Sequence, residues 1–127
     1  METVIHLDTH VAVWLFGGDE RRLAPVRQLL EQAQLVISPA VILEMQLLFE
    51  IGRADRPADR VYAELVETSG VRLSGAPFAD VVMEALKQSW TRDPFDRLIV
   101  ASALVDGNRL VTCDEKIHEH CPRAMWG

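Results

Sequence analysis

Short β-rich runs separated by longer helical stretches constrain this chain most. Val4-Ile5-His6-Leu7, Leu35-Val36-Ile37 and Arg109-Leu110-Val111-Thr112 read as strands. The stretches between them carry helical patterns of about ten residues or more. That alternation predicts an α/β fold: a short-stranded, mainly parallel sheet with helices on both faces. In such a sheet ligands sit outside the carboxyl ends of the strands. Asp8 follows the first run and Asp114 lies just past the last, so both fall on that edge.

The helices show start and stop signals. Residues 11–16 read as helical and stop at Gly17-Gly18. A second helix is expected over 23–33, with Pro25 near its first turn. Ser38-Pro39 pairs a capping hydroxyl with a proline suited to the first helical position, opening a helix over 39–51 that Gly52 ends. Residues 53–59 are polar and loop-like, and Pro57 opens a helix through about Glu67. Residues 71–73 form a short strand or an extended link, and 77–88 is helical. Asp93-Pro94 repeats the cap-then-proline signal for a helix to Val105, and Gly107-Asn108 turns the chain. Residues 124–126 are expected to add a last edge strand.

The chain has 127 residues, which fits one domain over 1–127 with a substantial core. Its 49% apolar and 25% charged content excludes a disordered chain, a collagen and a disulfide miniprotein. The formal net charge of −6 argues against a bulk electrostatic grip on nucleic acid or on an anionic membrane. No apolar run approaches the roughly 20 residues that span a bilayer. Residues 1–7 contain Glu2 and no basic residue, so they do not read as a secretory signal. Cys113 and Cys121 are the two cysteines, a usage that suits a reducing, cytoplasmic setting.

Two acids stand on helix faces that look apolar. The expected stripe of helix 39–51 is Ala40, Val41, Leu47, Leu48 and Ile51, and Glu44 is spaced to project with it. A carboxylate there needs a partner, which is a salt bridge, water at an edge, or a ligand. Asp96 aligns with Ile99, Val100 and Ala103. With Asp93 as N-cap, Asp96 also sits where a carboxylate favours the helix dipole, so capping explains an acid there but not its alignment with the stripe. Acids after strands are common turn residues, and Asp8 or Asp114 alone signals little.

The combination is the signal: two strand ends and two helix faces can bring four carboxylates to one rim. Like charges about 5 Å apart repel by roughly 3 kcal/mol per pair at an effective dielectric near 20. Protons or a cation must neutralise such a cluster. Hard oxygen donors point to Mg²⁺ or Mn²⁺.

Several blocks resemble the PIN-domain ribonucleases, and most closely the VapC-type toxins of toxin–antitoxin pairs. They are Leu7-Asp8-Thr9-His10, Ser38-Pro39 with Glu44 six residues past the serine, Arg92-Asp93-Pro94-Phe95-Asp96-Arg97-Leu98-Ile99, and Leu110-Val111-Thr112-Cys113-Asp114. The likeness covers essentially the whole chain in order. It implies a three-layer α/β/α domain that cleaves RNA phosphodiester bonds using Mg²⁺ or Mn²⁺. By that resemblance Asp8, Glu44, Asp96 and Asp114 match an acidic quartet that is both catalytic and metal-holding. Thr9 and Thr112 match supporting polar residues, and Asp93 is a helix cap or a further ligand. His10 stands where many relatives have asparagine, and Cys113 where a small residue is frequent. An antitoxin partner and a homodimer are also implied, with helices 25–33 and 57–67 as the expected exposed apolar surfaces.

Arg92 and Arg97 flank the acidic helix start, where they meet RNA phosphates or pair with nearby acids. Cys113, His118, His120 and Cys121 form a cluster whose spacing matches no standard zinc site. His6 reads as packed, and Trp14, Trp90 and Trp126 as core or subunit contacts. A receiver-type phosphoacceptor domain wants paired acids near the first strand, and a haloacid-dehalogenase-type phosphatase wants an acid at position 10, which is His10. A catalytically silent module of the same fold is the third alternative.

Overall fold

The computed structural model describes residues 3–127. Its strands are β1 (Val4–Leu7), β2 (Gln34–Ile37), β3 (Arg72–Leu73), β4 (Arg109–Val111) and β5 (Ala124–Met125). All pair in parallel, in the order β3-β2-β1-β4-β5. Ile5 sits between Leu35 of β2 and Arg109 of β4. The chain therefore builds outward from β1 on one side and later returns to build on the other. This makes the β1/β4 boundary a topological switch point, whose carboxyl edge is the natural crevice of such sheets.

The helices are α1 (Thr9–Gly17), α2 (Glu20–Leu23), α3 (Arg27–Gln32), α4 (Pro39–Glu50), α5 (Ala58–Ser69), α6 (Phe78–Ala85), α7 (Pro94–Asp106) and α8 (Glu115–His120). Successive side chains of a strand point to opposite faces. Ile5, His6 and Leu7 are all fully buried, so helices cover both faces of β1. His6 fits this apolar layer because its Nε2 pairs with Asp106 Oδ2 at 2.8 Å, and Ser74 Oγ donates to the same carboxylate oxygen at 2.7 Å. Burial lowers the His6 pKa, and the bond to Asp106 opposes that shift.

The structure corrects several sequence expectations. The helix expected over 23–33 is broken: α2 ends at Leu23, a 3-10 turn spans Ala24–Val26, and α3 starts at Arg27. Pro25 causes this, because it lacks an N–H and its ring crowds the preceding turn. Helix α1 begins at Thr9, before residue 11, because Asp8 is its N-cap. Residues 71–73 resolve as β3, extended by a bond from the Ser74 N–H to the Ile37 carbonyl. Helix α8 was not foreseen. It has six residues and one buried apolar side chain, Ile117, which is too little for a periodic signal.

The exposed apolar surface also lies elsewhere. On α4 the buried positions are Val41 and Met45, whereas Leu47 and Ile51 are 39% and 64% exposed. Leu43 joins them on the outside, and α6 adds Phe78 and Met83. Helix α5 shows only Val66, since Val61 and Leu65 face the core. The reason is lateral cover: α6 packs through Val81 and Ala85 onto Ala101 of α7, while among the described residues Phe78 and Met83 of α6 and Leu43 and Leu47 of α4 stay exposed.

Candidate active site

Each acid is positioned by a local backbone signal. Asp8 ends β1 and caps α1, its Oδ1 accepting from the Thr9 N–H at 2.8 Å. Asp114 follows β4 and caps α8, accepting from the N–H groups of Lys116 and Ile117 at 2.9 and 3.2 Å. Asp93 caps α7, accepting from Phe95 and Asp96 at 2.8 and 3.3 Å. Asp96 lies in the first turn of α7, and Glu44 lies midway along α4. Three helix N-termini thus present their positive ends toward this edge, which favours anionic groups there.

Two buried threonines link the acids. The Thr112 hydroxyl donates to Asp8 Oδ2 at 2.6 Å and accepts from the Asp114 N–H at 3.1 Å. The Thr9 hydroxyl donates to Glu44 Oε1 at 2.5 Å while its N–H holds Asp8. Asp8 therefore has both oxygens engaged, and the ends of β1, β4 and the middle of α4 are tied together. Glu44, half-buried, has Thr9 as the partner of one oxygen, and no salt bridge holds it among the described residues.

These side chains lie within one another's electrostatic field. Burial pushes the Asp8 and Glu44 carboxyls above their ordinary values, with threonine bonds opposing the rise. Asp114 adds repulsion at Asp8, and Asp8 and Asp93 add it at Glu44. Asp96 is pushed up to about 7. Burial is the largest cause, followed by the charges of Asp93, Asp8, Asp114 and Glu44. One side chain thus feels every other acid singled out from the sequence.

The donor chemistry fits a hard divalent cation: carboxylate oxygens crowded enough to hold a proton near neutrality. Among the described residues, however, no three His, Cys, Asp or Glu side chains form a ready-made ligand set. Repulsion between carboxylates opposes such closure when no cation is between them, and Asp93 and Asp114 each have an oxygen committed to a helix cap.

The remaining candidates fall around this edge. Arg92 Nη1 donates to the Ser89 carbonyl and Arg97 Nε to the Thr91 carbonyl, both at 2.8 Å. Among the described residues neither is paired with an acid. The four members of the Cys/His cluster go separate ways. His118 Nε2 meets the Thr112 carbonyl at 2.6 Å, His120 stacks on Trp90, Cys121 is buried, and Cys113 is exposed. His10, noted in the sequence only as a departure from a family pattern, stands close enough to Asp8 and Glu44 to favour their ionised forms. Its position two residues past Asp8, in the first turn of α1, was the available signal.

The threonine bridge gives a direct test. Thr112→Val keeps the shape but removes the donor to Asp8 and the acceptor for Asp114. It should cost about 1–3 kcal/mol and lower the melting temperature by several degrees. Thr112→Ser retains both bonds and should melt within about 1 kcal/mol of the parent. Thermal unfolding of the three chains checks this.

Comparison with known proteins agrees with this architecture. A family model described as the PIN domain matches residues 5–121. Ribonuclease VapC22 of Mycobacterium tuberculosis (strain ATCC 25618 / H37Rv) is 34% identical over 124 residues, covering 93% of this chain and 92% of its own. Among solved structures, VapBC2 from Rickettsia felis bound to a DNA fragment from its promoter matches with a TM-score of 0.64 at 16% identity, covering 98% of this chain and 100% of the matched one. VapBC-1 from nontypeable Haemophilus influenzae matches with a TM-score of 0.64 at 20% identity, covering 98% and 97%. Identities this low speak to the fold alone, whereas the family match and the VapC22 relative span nearly the full chain. The chain belongs to the PIN-domain family, in its VapC branch.

Proposed function

We propose that this chain is a metal-dependent endoribonuclease, the toxin of a toxin–antitoxin pair, hydrolysing RNA phosphodiester bonds at the edge where Asp8, Glu44, Asp96 and Asp114 meet. The observation that carries the reading is the linkage of acids from separate elements at one sheet edge: Thr112 bonds Asp8 and Asp114, and Thr9 bonds Asp8 and Glu44. A relative named as a ribonuclease supports the substrate class.

Asp8, Asp96 and Asp114 are the residues that would hold Mg²⁺ or Mn²⁺, with Asp93 available beside them. The cation would neutralise the acids and stabilise the charge that develops on the phosphoryl oxygens. Thr112 and Thr9 act as positioning residues, since each fixes the carboxylates it bonds. Glu44, with a raised pKa and one oxygen held by Thr9, would orient a water and take its proton as the water oxygen bonds to phosphorus and the P–O bond to the leaving ribose oxygen breaks. Arg92 and Arg97, whose side chains bond the Ser89 and Thr91 carbonyls, would meet RNA phosphates. The proposal includes an antitoxin and a second copy as protein partners, with the exposed side chains of α4 and α6 as the apolar surface they would cover. It also includes a cytoplasmic location. No helix among the described residues is long and apolar enough to cross a membrane.

The test is cleavage of single-stranded RNA by the purified chain with Mg²⁺ or Mn²⁺. Cleavage is expected with either ion and should stop on adding a chelator. Absence of cleavage with both ions would leave a silent PIN-like module. Phosphorylation of Asp8 by a small phosphodonor would favour the phosphoacceptor reading instead.

A further inference from the structure

A track of aromatic and cationic side chains leaves the acidic edge along α1. His10, exposed in the first turn, begins it. Trp14 lies one turn further on the same face, with ring centroids 6.2 Å apart and planes tilted by 47°. Trp126, just past β5, meets Trp14 edge-on at 6.0 Å and 66°. The Arg22 guanidinium lies over the Trp14 ring, 5.3 Å from its centroid. One end of the track is at the acidic edge, because His10 lies two residues past Asp8 in the first turn of the helix that Asp8 caps.

Core packing explains only part of this arrangement. Trp14 and Trp126 are half-buried and pack against the main core, which accounts for their inner edges. His10 and Arg22 are exposed and bury little. The Arg22 pair with Asp19 is long, at 3.7 Å, and solvent-facing, so it holds the guanidinium weakly. A chain of net charge −6 repels a polyanion at long range, so its grip on RNA has to be local. Stacking of bases on aromatic faces supplies such a grip without net charge, and a guanidinium over a ring adds a phosphate contact. Duplex bases are stacked on each other and unavailable, whereas single-stranded bases can splay onto a ring.

We propose that His10, Trp14 and Arg22, backed by Trp126, form a stacking subsite for the bases of a single-stranded RNA segment beside the scissile phosphate. The proposal rests on the ribonuclease reading for its substrate class. It adds the residues that would hold the bases of that substrate beside the scissile bond.

The experiment titrates the intrinsic tryptophan fluorescence of the full chain with a short single-stranded oligoribonucleotide in a chelating buffer, which withholds the cation that the proposed cleavage needs. Saturable quenching is expected. His10→Ala and Arg22→Ala should each weaken binding about ten-fold, and His10→Phe should restore it. A duplex of the same sequence should bind at least about ten-fold more weakly. With cleavable RNA, Arg22→Ala should raise KM and leave kcat within about two-fold. Unchanged affinity in both alanine variants, or equal quenching by the duplex, overturns the subsite even if RNA is still cut. Quenching that depends on His10 and Arg22 without any cleavage supports the subsite and removes the nuclease reading. No RNA binding at all overturns the subsite, while absence of cleavage with both Mg²⁺ and Mn²⁺ overturns the nuclease reading.

Discussion

Asp8→Asn should reduce RNA cleavage by at least about 10³-fold, because it removes a charge from the centre of the acidic edge. Folding should survive the change. Asparagine retains an oxygen to accept the Thr9 N–H and is a good N-cap for α1. Its amide meets Thr112, whose hydroxyl has lone pairs with which to accept. Burial already disfavours the ionised Asp8, so neutralising it should leave the melting temperature equal to or above that of the parent. Parallel cleavage and thermal-unfolding assays check both halves. Full activity in this variant would defeat the proposed mechanism.

Asp96→Asn should stabilise the metal-free chain while abolishing activity. The Asp96 carboxyl titrates at its ordinary 3.8 when unfolded and near 7 when folded. Between those values the folded state holds the extra proton, so stability falls as pH rises through that window. Above about 7 both states are ionised and the full cost is present. The asparagine variant escapes this cost. At pH 8 it should gain about 1–2 kcal/mol after allowance for solvent screening of a half-buried group. That corresponds to roughly 3–10 °C in melting temperature. Near pH 2.5, more than a unit below the unfolded value of 3.8, the two chains should melt together, because the parent carboxyl is then protonated in both states. Mg²⁺ or Mn²⁺ at pH 8 should raise the melting temperature of the parent more than that of the variant, since only the ionised acid rewards cation binding. An asparagine chain less stable than the parent at pH 8 would show that Asp96 is not electrostatically frustrated.

The two variants probe a conflict between stability and chemistry. Carboxylates gathered at one rim cost folding free energy, and the helix N-termini and threonine bonds offset part of it. Chains keep such features where function needs charge held ready.

Much of this arrangement was legible before any coordinates. Asp93-Pro94 and Ser38-Pro39 are local signals, and their capping bonds form within two or three residues. β1 and β4 are short apolar runs whose type depends on neighbours in sequence. Asp8 and Asp114 end such runs, so a parallel sheet places them on one edge. Helix α8 was missed although Asp114 was noticed, because a six-residue helix buries too few side chains to show a period.

Local signals in the chain were thus enough for β1, β2, β4 and the longer helices α4, α5 and α7, and for singling out the acids as candidates, since each depends on contacts a few residues apart. Spatial neighbours set the rest. The faces of α4 and α6 that stay uncovered, the engagement of Glu44 by Thr9 across 35 positions of sequence, and the reach of Thr112 to Asp8 across 104 all depend on packing between distant segments. Burial and electrostatic coupling are properties of that packing, so the near-neutral titration of Asp96 emerges only when four elements meet.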